Sequence, residues 1–126
     1  MTTTVYETKS APQPVGPYSQ AVRRGNILSL SGQVALDPAT GKVVEGGIAE
    51  QTRQVMNNLR NVLESAGASF SDVVTVRIYL TEAADFPGMN SVYAEFLAEP
   101  FPCRTTVFVG LPPGMLIEID VLAVVE

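Results

Sequence analysis

The chain contains no histidine and a single cysteine, Cys103. That removes the Ser-His-Asp and Cys-His nucleophile systems, the histidine-based zinc sites and any disulfide within the chain. Basic residues are also scarce: 8 Lys and Arg stand against 13 Asp and Glu, a net charge of −5, with no basic run. Nucleic-acid affinity comes mainly from clustered Lys and Arg that neutralise phosphates, so a nucleic-acid-binding module is disfavoured. No stretch approaches the ~20 apolar residues needed to span a bilayer. The N-terminus Met1-Thr2-Thr3-Thr4-Val5-Tyr6-Glu7 has neither a basic n-region nor an apolar h-region. The expectation is a cytoplasmic protein without a membrane partner, whose chemistry runs on carboxylates, arginine, hydroxyls and backbone groups.

What is present is apolar. At 126 residues the chain has ordinary single-domain length, and one domain over residues 1–126 is expected. Its 46% apolar content and mean hydropathy of +0.20 are high for so small a globule, which cannot hide every apolar side chain in one core. The surplus suggests a subunit interface.

Three prolines and a glycine in Ala11-Pro12-Gln13-Pro14-Val15-Gly16-Pro17 dictate a fixed irregular loop. Residues 19–23 and 27–33 read as two strands joined by a Gly25-Asn26 turn. A tight surface loop follows at Asp37-Pro38-Ala39-Thr40-Gly41-Lys42. Ile48, Thr52, Val55, Met56, Leu59, Val62, Leu63 and Ala66 recur at three- and four-residue spacing, which predicts an amphipathic helix stopped by Gly67. Residues 73–80 are β-branched and aromatic and form a strand with one buried face. Met89, Val92, Tyr93, Phe96 and Leu97 return to helical spacing, and Pro100 and Pro102 end that helix. Two last strands, 105–109 and 115–125, flank Gly110-Leu111-Pro112-Pro113-Gly114. The order specifies an α+β layer with both helices on one face of a mixed sheet, the other face being covered most simply by copies of the same chain.

The last strand alternates Leu116, Glu118, Asp120, Leu122 and Val124 against Ile117, Ile119, Val121, Ala123 and Val125. From Val121 onward both faces are apolar, so the strand is central. Glu118 then sits at the mouth of a low-dielectric region, where it needs a partner or stays protonated. In the preceding strand Arg104 shares a face with Thr106 and Phe108, and its planar fork suits a carboxylate. If these strands pair as a hairpin about residues 110–114, Arg104 and Glu118 fall together on one face. Two readings are then open: a structural ion pair, the commoner case, and a carboxylate clamp beside an acid/base. Plain structural readings also exist for Ser31-Gly32-Gln33 as a strand end with a bulge glycine and for Tyr18 as a half-buried aromatic. Asn90 reads as an exposed helix position, Cys103 as a small buried hydrophobe, and Asp72 and Asp85 as turn or cap residues.

Ala11-Pro12 with Gly16-Pro17-Tyr18-Ser19-Gln20-Ala21, Ser31-Gly32-Gln33, Asp37-Pro38 with Thr40-Gly41, Asn90 with Tyr93, Phe101-Pro102 with Arg104, and Leu111-Pro112 with Ile117-Glu118-Ile119 occur in that order. The set covers essentially the whole chain and resembles the Rid/YjgF family of reactive intermediate deaminases. The resemblance implies a chorismate-mutase-like fold with a six-stranded mixed sheet, a homotrimer with the other sheet faces toward its centre, and ligand sites between subunits. It implies no cofactor and no metal. By the same resemblance Arg104 binds the substrate carboxylate, Glu118 handles water and proton transfer, and Tyr18, Ser31 and Asn90 line the cleft. Gly32 and Thr106 would add backbone contacts. Thr106 departs from the cysteine that several members carry, which puts any thiol role in doubt. Pro113 replaces a commonly polar residue at the rim.

The implied activity is hydrolysis of 2-aminoacrylate and 2-aminocrotonate to 2-keto acids and ammonia. Two other classes stand beside it. One is a non-catalytic 2-keto-acid-binding or chaperone-like trimer. The other, opposed by the charge and the missing histidine, is an endoribonuclease or translation inhibitor.

Overall fold

The computed structural model describes residues 2–126. The strands are β1 (Thr3–Tyr6), β2 (Ala21–Arg24), β3 (Ile27–Val34), β4 (Val73–Leu80), β5 (Cys103–Phe108) and β6 (Ile117–Val124). Helix α1 (Ile48–Ser65) lies between β3 and β4, and α2 (Phe86–Glu95) between β4 and β5. The strands form one six-stranded sheet in the order β1-β2-β3-β6-β4-β5. The β2–β3 hairpin turns at Gly25, whose φ of 61° is a left-handed conformation that glycine adopts without a Cβ penalty. β1, which no hydrophobic pattern announces, extends this hairpin at the sheet edge.

Helix α1 forms on the face that the spacing predicts: Val55, Met56, Leu59, Val62 and Leu63 are all buried against the sheet. Truncating Leu59, which is 0% exposed, would cost about 2–5 kcal/mol through lost burial and the cavity left behind. The helix stops as expected at Gly67, with φ 72°. The Ala68 amide donates to the Leu63 carbonyl at 2.9 Å and the Gly67 amide to that of Glu64 at 3.0 Å, the two bonds of a Schellman ending. Helix α2 starts three residues before the first expected apolar position, at Phe86, with Pro87 in its first turn. Asp72 serves as a cap, its Oδ2 accepting the Ser69 amide at 2.9 Å. Asp85 makes no side-chain capping bond to α2.

The expected hairpin between the last two strands does not form. β5 pairs in parallel with β4, and β6 enters the slot between β3 and β4, antiparallel to both. The reason lies in the side chains. Ile117, Ile119, Val121 and Ala123 are buried between Leu28 and Leu30 on one side and Val76, Ile78 and Leu80 on the other. Only a strand paired along both edges buries such a row, whereas the threonine-containing β5 tolerates the sheet edge. Cys103 opens β5 and is exposed, not buried, because it points away from the helices with Thr105 and Val107.

Register now assigns the faces. Val76, the partner of both Arg104 and Val121, belongs to the buried, helix-covered side. Glu118 pairs with Tyr79 and looks out from the opposite, uncovered side. That open face carries exposed Val5, Ile27, Val107 and Val124.

Candidate active site in two halves

Arg104 and Glu118 therefore do not meet within one chain. Their register partners on β4 are three residues apart and the two strands lie on either side of it, which separates the Cα atoms by about 14 Å. They also point to opposite faces. The expected intrachain ion pair is absent: the salt bridges among the described residues are Arg53–Glu95 and Arg77–Asp120.

The first half surrounds Glu118. Tyr18, Ser31, Gly32 and Glu118 line one cavity of about 450 Å³, with Val15, Pro112 and Met115. Gly32 is needed here by close approach, because a Cβ at that position would collide with the Glu118 carboxylate. A register shift between Leu30 and Gln33 brings this part of β3 beneath it. Ser31 donates its hydroxyl to the Ser19 carbonyl at 2.6 Å. Tyr18 is half exposed, and its hydroxyl accepts the Val15 amide at 3.3 Å.

Two buried glutamines, absent from the expected site, hold the walls. Gln20 is 2% exposed; it accepts from the Thr8 amide and donates to the carbonyls of Thr8, Ala11 and Pro12. Gln51, on α1, donates to the Gly114 carbonyl at 2.8 Å and accepts the Leu116 amide at 2.9 Å, fixing the approach to β6. Spacing was the available signal, since Gln51 stands three positions after Ile48 and four before Val55, on the face of α1 that is buried.

Glu118 has no hydrogen-bond donor or cation within the described chain. Burial pushes its carboxyl above the usual carboxylate range, and the Asp120 charge adds to the effect. Of the two expectations for Glu118, no partner stands within the described residues, and the surroundings pull toward the neutral form.

The second half surrounds Arg104. Asn90, Tyr93, Ala94, Phe101, Pro102 and Arg104 line a cavity of about 390 Å³. Arg104 Nη1 donates to Asn90 Oδ1 at 2.7 Å, so Asn90 is a half-buried orienting group and not a free surface position. The guanidinium carbon stands 5.1 Å from the Tyr93 ring centroid and 5.5 Å from that of Phe86. An arginine fixed by an amide and two aromatic faces, with no carboxylate of its own, has donors free to take an anion. Thr106 follows on the same face of β5, its Oγ1 buried without a hydrogen-bond partner. Of the seven expected site residues, four gather around Glu118 and three around Arg104.

Fold and site define a small α+β protein with two clusters of candidate groups, an arginine without a counter-ion in its own chain and a half-buried, unpaired carboxyl. The family model described as Endoribonuclease L-PSP matches residues 8–125, and the chain belongs to this family, the Rid/YjgF family. It is 49% identical over 120 residues to the RutC family protein PH0854 of Pyrococcus horikoshii, covering 94% of this chain and 95% of the relative. It is 44% identical over 123 residues to the 2-iminobutanoate/2-iminopropanoate deaminase of Dermatophagoides farinae, covering 97% and 96%. Its fold matches the crystal structure of RidA from the Antarctic bacterium Psychrobacter sp. PAMC 21119 with a TM-score of 0.92 and 40% identity, covering 97% and 99%.

Proposed function

We propose that the protein is a 2-iminobutanoate/2-iminopropanoate deaminase, hydrolysing reactive 2-enamine and 2-imine acids such as 2-aminoacrylate and 2-aminocrotonate to 2-keto acids and ammonia. The observation that carries the reading is Arg104, held in place by Asn90 and two rings with no counter-ion. It fits the one charged group that all these substrates share, their carboxylate. The name of the 44% identical relative supports the same chemistry.

Arg104 fixes the carboxylate through paired donors and so places the imine carbon against a water. Glu118 gives its proton to the imine nitrogen, and the carboxylate so formed orients the water and takes its proton as oxygen adds to carbon; on collapse of the carbinolamine Glu118 passes that proton to nitrogen and takes up the hydroxyl proton, so that the C=O bond forms and ammonia leaves. Water and a proton shuttle balance the reaction, and the mechanism calls on no cofactor or metal. Tyr18, Ser31, Gly32 and Thr106 shape the space around the substrate.

Since one chain presents Arg104 and Glu118 on opposite sheet faces, a substrate touching both lies between two chains. The exposed valines and isoleucine of the open face provide the surface for such an assembly, a homotrimer with these faces toward its centre. A cytoplasmic location belongs to the same proposal.

Subunit mixing tests both parts. Arg104→Ala and Glu118→Gln should each lose activity when following keto-acid release from a coupled threonine or serine dehydratase. Equal mixing by co-refolding should restore about one quarter of wild-type activity, the fraction of random interfaces that join two intact halves. No acceleration by the wild-type protein refutes the deaminase, and active wild type without recovery refutes the shared site.

A further inference from the structure

Glu118 does not stand alone on the open face of β6. Asp120 follows it two positions along the strand and points to the same side, which places the two Cα atoms about 7 Å apart. Asp120 is held at both oxygens: Arg77 Nε donates to Oδ1 at 2.7 Å and the Tyr79 hydroxyl donates to Oδ2 at 2.9 Å. Its side chain is only 16% exposed, and it stands in an ion pair with Arg77.

Tyr79 is the register partner of Glu118, yet its hydroxyl is turned to Asp120. The groups facing Glu118 are therefore Asp120 from its own strand, Tyr79 from β4, Ser31 and Gly32 from β3, and Tyr18 from the loop before β2. None is a cation. Arg77, whose side chain is 64% exposed, is engaged with Asp120.

Resting on the deaminase reading above, we propose that Asp120 is a positioning residue for the proton chemistry, its fixed negative charge acting through Glu118 to keep the Glu118 proton in place until the reaction draws on it. A second negative charge on one half-buried surface is costly, so ionisation of Glu118 is delayed. The direction in which burial and Asp120 displace Glu118 agrees. Arg77 partly offsets the Asp120 charge, so Arg77 and Asp120 act on Glu118 with opposite sign.

The test is a carbon-13 carboxyl titration of protein labelled at glutamate, with the Glu118 signal identified by its loss in Glu118→Gln. The pH profile of kcat/KM is measured beside it. Asp120→Asn should move the Glu118 titration to lower pH, Arg77→Gln should move it to higher pH, and Asp120→Glu should restore the wild-type position. A merely structural role would lower the melting temperature without producing opposite shifts. Should Asp120→Asn fail to fold, the exposed Arg77→Gln decides alone. Titrations that stay fixed, or that move in the same direction in both variants, overturn the proposal. Titrations that shift while the rate profile does not would uphold the coupling and count against Glu118 as the acid/base.

Discussion

The close approach of Gly32 to Glu118 makes Gly32→Ala the most informative single change. A Cβ built there lies 3.1 Å from Cδ and 3.2 Å from Cγ of Glu118, with Oε2 closer still. Restoring ordinary contact asks the carboxylate to withdraw by about 1 Å, a displacement that can cost on the order of 10²-fold in rate when it misplaces a catalytic group. That loss corresponds to about 2.7 kcal/mol of activation free energy. Folding should hardly notice. Gly32 is not among the positive-φ glycines, and alanine in a strand recovers about 0.5–1 kcal/mol of glycine's backbone entropy cost. The displaced group is the far end of a flexible side chain, so net stability should stay within about 1 kcal/mol. The assay is kcat and KM for imine hydrolysis, with 2-ketobutyrate affinity and thermal unfolding on the same preparation. The expected result is a drop of about 10²-fold in kcat with the melting temperature nearly unchanged. Normal turnover would refute the reasoning, and so would a loss of activity matched by loss of folded protein.

Arg104→Lys should lower kcat/KM by on the order of 10-fold or more while leaving unfolding unchanged, because an ammonium keeps the charge but not the planar paired donors; full activity would make Arg104 structural. Glu118→Gln should abolish most turnover and give a telling stability profile. Burial, then Asp120, raises the folded-state value of Glu118, so its contribution is fully present below the unfolded carboxylate value and is lost as pH rises through the raised folded value. Glutamine does not titrate. The stability of the variant relative to wild type should therefore grow from acid to neutral pH in urea unfolding. A constant difference would show that folding does not displace the Glu118 titration, and a variant weakened most at neutral pH would show that Glu118 is a paired anion; either outcome refutes the reading.

Much of this fold is legible where periodicity is local. Helix α1 and its Gly67 stop, the β2–β3 hairpin and the alternation along β6 all follow from spacing and turn chemistry. The central place of β6 follows too, from apolar residues on both faces beyond Val121. What spacing does not contain is the partner of each strand. Arg104 and Glu118 both stand at even positions, but parity relates residues within a strand and says nothing of two strands until their register is known. A hairpin across five loop residues was the local solution; the parallel β4–β5 pair and the inserted β6 are non-local ones. β1 escaped notice because Thr3-Thr4-Val5-Tyr6 has too little apolar pattern to signal an edge strand. Cys103 was misplaced for the same reason as Arg104, since the face it occupies depends on its pairing with Thr75.

The position of β6 also bears on how the chain reaches its structure. It is the last strand in sequence, yet it separates β3 from β4. Without it, β1 to β3 and β4 with β5 would be two partial sheets, each showing an unpaired edge able to capture a strand from another molecule. One segment closes both edges at once, and it is the segment that bears Glu118. A chain lacking that segment would thus be sticky and without Glu118 together, and the carboxyl proposed as acid/base is in place only in a molecule whose sheet is sealed.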